Sequence, residues 1–310
     1  MLLTPANLAF VFYGLDTRFK QGLQKAEPWS EKIATTVPST TEENRYAWVG
    51  AIPKMREWIG ERQLRNLEAR GYVLPNKDYE ASLEIPRNKI EDDQFGIYGN
   101  SAEGLGWAAK VWPDDLVIAA LKAGTTALCF DGQPFFNASH PVKFGDSSMG
   151  TFSNNLTGTA LTAPNFAAAR AAMMAYKDEN GDALRINPRL LVVPPALEAT
   201  ARQILQAENI APAGAFGQNA AGGFQTNVMK GTADLHVAQE LAGQDTTWYL
   251  MDVSKPIKPL VFQKRKDPQF ASLTDPTAEN VFKRKTFIYG VDARGNAGYT
   301  LPHLCLRAIA

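Results

Sequence analysis

The chain has 310 residues, 45% of them hydrophobic, which suffices for a large core and suggests about two domains. Lysine plus arginine balances aspartate plus glutamate at 32 each, so no overall field favours nucleic acid or an anionic membrane as the main partner. No apolar run approaches a membrane span, and the opening MLLTPANLAFVFYG lacks a basic lead and a cleavage site, so a cytoplasmic protein without a signal peptide is expected.

In chain order, residues 1–43 combine an amphipathic segment (Leu8, Phe12, Leu15, Phe19, Leu23) with the polar run TTVPSTTEEN. The spacing predicts an arm whose apolar face needs a surface to lie on, and that surface could be another subunit. From Lys54 to Arg70 five basic residues (Lys54, Arg56, Arg62, Arg65, Arg70) stand among three acids (Glu57, Glu61, Glu68), with Trp48, Trp58, Tyr72 and Tyr79 nearby. A solvated helix is the ordinary reading of such a run. DYEASLEI then alternates, with Tyr79, Ala81, Leu83 and Ile85 on one face, which predicts a half-buried strand in a β-hairpin. A ribbon of that kind is marginal unless it packs on something else.

Leu105, Ala109, Trp112, Leu116, Ala120, Ala123 and Ala127 recur at helical spacing, which predicts a long helix over residues 102–123, about 33 Å in length. Pro113 followed by Asp114 and Asp115 reads as a kink or restart, and Gly124 as the stop. The rest of the chain is expected to be organised around this helix. Beyond it, CFDGQPFFNASHPVKFGD gathers Cys129, Asp131 and His140. A cysteine nucleophile with a histidine base is conceivable, but no third orienting residue or oxyanion site is marked. One Cys and one His also lack the paired spacing of a zinc site, so packing of Phe130, Phe135 and Phe136 under an ordered loop is the expected role. His236 and His303 stand alone. Cys129 and Cys305, both in apolar surroundings, are expected to be buried and reduced.

A second helix is predicted over residues 162–176, capped by Thr162 or Asn165, with Phe166, Ala169, Met173 and Tyr176 on one stripe. A buried strand at residues 190–193 and a third helix aligning Leu197, Ala201 and Leu205 follow. Residues 209–231 read as an exposed loop without the lysine and hydroxyl of a phosphate-binding turn. Strands are predicted at 235–238 and 247–253. Residues 255–287 read as polar and charged, and two closing strands, KTFIYGVDA and HLCLRAIA, flank an Arg-Gly-Asn-Ala-Gly turn.

Five stretches, SEKIATTVPSTTEENRYAWVGAIPKMREWIGERQL, NKDYEASLEIPRNKIEDDQFGIY, CFDGQPFFNASHPV, NPRLLVVPPALEATARQIL and IYGVDARGNAGY, together resemble the major head subunit of Mu-like bacteriophages and prophages over nearly the whole chain. The resemblance implies an α+β fold of the tailed-phage major capsid (Hong Kong 97-like) type. It implies an N-terminal arm (1–44), an extended loop (45–88), a peripheral domain with the spine helix (89–182), an axial domain (183–254) and returning peripheral strands (255–310). It also implies hexamers and pentamers in an icosahedral shell around double-stranded DNA, packaged without sequence specificity. A separate scaffold and protease, a portal and a possible decoration protein are the implied partners; the location is the virion, reached from the host cytoplasm. No catalytic, cofactor-binding or metal residue is expected, and no membrane partner. Trp48, Arg56, Trp58, Arg62, Leu64, Arg65 and Tyr79 are the expected subunit interface, since tryptophan and arginine most often anchor interfaces. Another virion component, such as a decoration or tail protein, and an intracellular Cys/His enzyme are the competing readings.

Overall fold

The computed structural model describes residues 4–48, 70–92, 95–143, 146–179, 181–210, 225–275 and 278–310. The Thr4 hydroxyl opens helix α1 (Pro5–Lys25) by accepting the Asn7 N–H at 3.2 Å, and Pro5 sits where no N–H is needed. Strands β1 (Ala34–Pro38), β2 (Glu43–Trp48), β3 (Arg70–Pro75) and β4 (Lys77–Pro86) follow. Along β4 burial alternates as predicted, with Tyr79, Ala81, Leu83 and Ile85 turned inward and Asp78, Glu80, Ser82 and Glu84 outward. The short α2 (Arg87–Glu91) leads into the spine helix α3 (Phe95–Ala123), whose 29 residues span about 43 Å. Pro113 is carried inside it, and the buried Asp114 beside it accepts the Trp29 and Ser30 N–H groups at 3.1 and 2.8 Å.

Past the spine come the hairpin β5 (His140–Lys143) and β6 (Asp146–Phe152), the short β7 (Asn155–Leu156) and α4 (Ala163–Met174). Thr162 caps α4 by accepting the Asn165 N–H, and the predicted stripe Phe166, Ala169, Met173 and Tyr176 is buried. The remaining elements are β8 (Leu190–Val193), α5 (Glu198–Gln206), β9 (Asn209–Ile210), β10 (Gln225–Thr226), β11 (Asp234–Val237), β12 (Thr247–Met251), β13 (Leu260–Leu273), α6 (Glu279–Arg284), β14 (Thr286–Tyr299) and β15 (Cys305–Ile309).

Two main sheets carry these pieces, one of order β1-β13-β14-β4 and one of order β11-β8-β12-β15-β7. Val117, Ile118 and Leu121 of the spine share a core with Phe135, Phe136, Tyr249, Phe262 and Tyr299, so the helix is the element on which both sheets meet. Helices α4 and α5 cover the five-stranded sheet, setting Phe166, Met173, Ala201 and Leu205 against Leu191, Val193, Trp248 and Leu306. Helix and strand are thus mixed in the expected α+β manner.

Several expectations change. The amphipathic face of the arm lies on its own subunit: Leu8, Val11 and Leu15 join Ala102, Ile85 and Tyr289 in a third core. The predicted spine stripe is mostly half buried and Ala123 is exposed, whereas Ala102, Gly106, Val117, Ile118 and Leu121 lie deepest. α1 covers one end of the helix and the sheets the other, so the buried arc turns along its length. β4 forms no hairpin with its sequence neighbour; it pairs with β14, Tyr79 opposite Ala293, while β3 pairs with β2. The Arg-Gly-Asn-Ala-Gly segment is no turn, because β14 runs straight through it. A Cβ on Gly295 would lie 2.5 Å from the Gln263 carbonyl oxygen, and one on Gly298 would lie 2.7 Å from the Tyr72 hydroxyl, so close packing is what these glycines serve. The stretch read as merely polar holds the 14-residue β13, with register shifts around Asp267-Pro268. The closing strand β15 pairs with β12 in the five-stranded sheet, away from β13 and β14. Most of the loop expected at 209–231 lies outside the described residues; the β9–β10 pair closes it.

Candidate functional site

The fold brings together the three side chains that sequence spacing had set aside. Gly132, at φ 75°, closes a tight turn after the spine, and β5 returns His140 beneath it. The Cys129 thiol donates to Asp131 Oδ1 at 2.9 Å, the Gln133 N–H donates to the same oxygen at 3.0 Å, and His140 Nδ1 lies 2.6 Å from Asp131 Oδ2. His140 Nε2 lies 3.2 Å from the Phe135 carbonyl, which can only accept, so Nε2 carries a proton. Burial, then the neighbouring Asp131 carboxylate, push the Cys129 thiol well above its ordinary range. Burial works against the Asp131 carboxylate, yet the hydrogen bonds from His140, Cys129 and Gln133 prevail and hold it below the usual range. Asp131 therefore separates the thiol from the imidazole, an arrangement unsuited to a histidine drawing a proton from a nucleophile.

Asn154, which sequence reasoning missed, supports this loop from below. Fully buried, it directs Nδ2 to the carbonyls of Phe135, Pro302 and Cys305, and its Oδ1 accepts the Asn137 N–H at 2.8 Å. The loop is thereby tied to the last turn before β15. Nothing in the polar context SNNL distinguishes this asparagine in the sequence.

The second construction is the root of the β2–β3 ribbon. Its pairing runs outward from Glu43 opposite Pro75 to Trp48 opposite Arg70. Gln263 of β13, fully buried, accepts the Tyr46 hydroxyl at 2.9 Å and donates to the Leu74 carbonyl and to Asn76 Oδ1 at 3.1 and 2.7 Å. Asn76 in turn donates to Ser39 Oγ and the Thr41 carbonyl. Tyr46, Leu74 and Val261 form a small core of their own around these bonds. Burial among them raises the Tyr46 phenol pKa. The ribbon is thus rooted on β13 at its Glu43–Pro75 end. Gln263 was invisible in LVFQKRK, where it reads as the first polar residue after an apolar run.

Of the expected interface residues, Arg56, Trp58, Arg62, Leu64 and Arg65 lie outside the described residues, and Trp48 ends β2 opposite Arg70. Tyr79 is half buried, its ring 5.2 Å from that of Trp112 on the spine. Exposed aromatic side chains among the described residues include Phe10 and Tyr13 of α1, Trp107 of the spine and Phe282 of α6. Among the described residues no helix is long and apolar enough to cross a membrane.

A spine helix joining two sheets, an N-terminal helix laid upon it and a rooted two-stranded ribbon define a major capsid protein of the tailed-phage, Hong Kong 97-like class. The procapsid of bacteriophage JBD30 superposes with a TM-score of 0.62 at 29% identity, covering 99% of this chain and 76% of that one. The chain belongs to the family of the Mu-like prophage major head subunit gpT, whose model matches residues 8–161, 156–241 and 224–309. The Mu-like prophage FluMu major head subunit of Haemophilus influenzae is 33% identical over 296 residues, 96% of this chain and 71% of the relative. The major capsid protein of Escherichia phage Mu is 28% identical over 299 residues, 96% and 72%.

Proposed function

We propose that this major capsid protein assembles as hexamers and pentamers into a closed icosahedral shell around double-stranded DNA, which it contacts without reading sequence. The spine helix and its four-stranded sheet serve as the peripheral domain and residues 183–254 as the axial domain, to which β7, α4 and β15, expected in the peripheral domain, are added because they complete or cover the five-stranded sheet. The β2–β3 ribbon, with residues 49–69 at its end, reaches a neighbouring subunit, and Trp48, Arg56, Trp58, Arg62, Leu64, Arg65 and Tyr79 belong to that contact. A separate scaffold and protease and a portal act with it, in the host cytoplasm before the virion is complete. Its work is structural and requires no catalysis. The observation that carries this reading is the likeness to the JBD30 procapsid subunit over 99% of the chain. Supporting it, balanced charge limits repulsion among many copies, and the sequence from Lys54 to Arg70 carries eight charges beside few large apolar residues. Sedimentation of the full chain at micromolar concentration tests it: rings or shells are expected, and one monomeric species throughout overturns it.

A further inference from the structure

The loop after the spine helix leaves a chemical question that its packing does not answer. His140 Nε2 is committed to the Phe135 carbonyl, so the other ring nitrogen faces Asp131 Oδ2 at 2.6 Å with one proton at most for the pair. Cys129 Sγ stands on the other oxygen of the same carboxylate at 2.9 Å, and all three donor atoms lie within 4.8 Å of one another. The His140 and Asp131 side chains are 0% and 5% exposed. Beside them Gly132 is exposed, so only a thin turn separates the cluster from solvent.

We propose that Cys129, Asp131 and His140 form a binding site for a divalent cation of zinc type. Three features favour a metal. The donor set, one sulfur, one carboxylate oxygen and one imidazole nitrogen, is what a borderline-soft ion prefers, and three protein ligands leave a fourth position for water. The Nε2–H bond to a backbone carbonyl is the outer hydrogen bond that metal-ligating histidines almost always make, and it points the Nδ1 lone pair at the cluster. Charge also balances: a thiolate and a carboxylate neutralise the ion, with imidazole neutral, so a buried site carries no net charge. Binding displaces the thiol proton and the proton shared by Nδ1 and Oδ2, both released to solvent. The ion would tie the end of the spine helix to β5 and so to the five-stranded sheet through Asn154. This role is independent of which surfaces join subunits in a shell.

The test is metal content of the full chain, expressed with zinc and passed through a desalting column, followed by cobalt(II) titration after chelation. About one zinc per chain is expected, and cobalt should give tetrahedral absorption with a thiolate-to-cobalt charge-transfer band. Cys129→Ser should abolish that band, Cys305→Ser should keep it, and His140→Gln should weaken affinity at least about tenfold. Wild-type chain without stoichiometric metal, or a band that survives Cys129→Ser, overturns the site and leaves a proton shared by His140 and Asp131. The wild-type stoichiometry decides the matter even where a variant fails to fold.

Discussion

A Cβ placed on Gly106 of the spine would lie 2.0 Å from the carbonyl oxygen of Phe19 on α1. A Cβ on Gly22 would likewise lie 2.0 Å from the Glu103 carbonyl oxygen, so at these two positions the helices approach too closely for any side chain between them. Lys25 and Arg18 of α1 add ion pairs to Glu103, both cations being largely exposed and so contributing little. Gly106→Ala is expected to lower stability by about 1–3 kcal/mol through overpacking. Gly104→Ala, at a site with nothing within 4 Å, should raise it by up to about 1 kcal/mol through helix propensity. Paired denaturant melts check the opposite signs.

The ribbon root gives a second expectation. Gln263→Ala removes the side-chain donor to the buried Leu74 carbonyl and the acceptor of the Tyr46 hydroxyl proton, at a cost of about 1–3 kcal/mol. Hydrogen exchange should locate the loss in β2 and β3 and leave α4 and α5 protected. Uniform loss across the molecule would show that the root is no local anchor.

Much of this architecture was legible from periodicity. β8 follows from an unbroken apolar run, buried on both faces between two cores, and the stripe on α4 and the alternation along β4 follow from a single face turned to the interior. The partner of β4 was not legible, because β14 lies some 200 residues further along the sequence and no local pattern names it. β13 was hidden by its own chemistry: past Gln263 its half-buried positions include the charged Lys264 and Lys266, so no apolar alternation shows, and Asp267-Pro268 reads as a turn while marking an irregular register. The Cys129, Asp131 and His140 cluster was legible as residues but not as geometry, since Gly132 and the return of β5 supply the convergence.

Acid should weaken the fold in a defined window. Burial first, and then the Lys255 ammonium, lower the His303 pKa from 6.5 to about 4. Its contribution is therefore present above pH 6.5 and lost as pH falls toward 4, because the unfolded chain then binds the proton that the folded one refuses. His303 keeps part of its surface in solvent, so the loss is put at about 1–3 kcal/mol. Urea melts at pH 7 and pH 4.5 should differ by that amount, and His303→Gln should flatten the difference. Asp131, held below the usual carboxylate range, adds its own loss only at still lower pH.

Replacing residues 54–68 by a short Gly-Ser linker should spare the subunit. The cut leaves β3, Tyr72 and Leu74 and the small core around them in place. The melt should remain cooperative within about 1 kcal/mol of the parent. Shell assembly should fail, since the linker lacks Arg56, Trp58, Arg62, Leu64 and Arg65. Normal closure of particles would make the segment dispensable for contact.

Electron microscopy of the purified full chain after concentration asks whether the subunits build a shell by their own contacts. Closed particles, or rings of five and six subunits with the spine helix and both sheets recognisable in each, are expected. A homogeneous field of single subunits at every concentration, from protein with an intact cooperative melt, would contradict self-assembly.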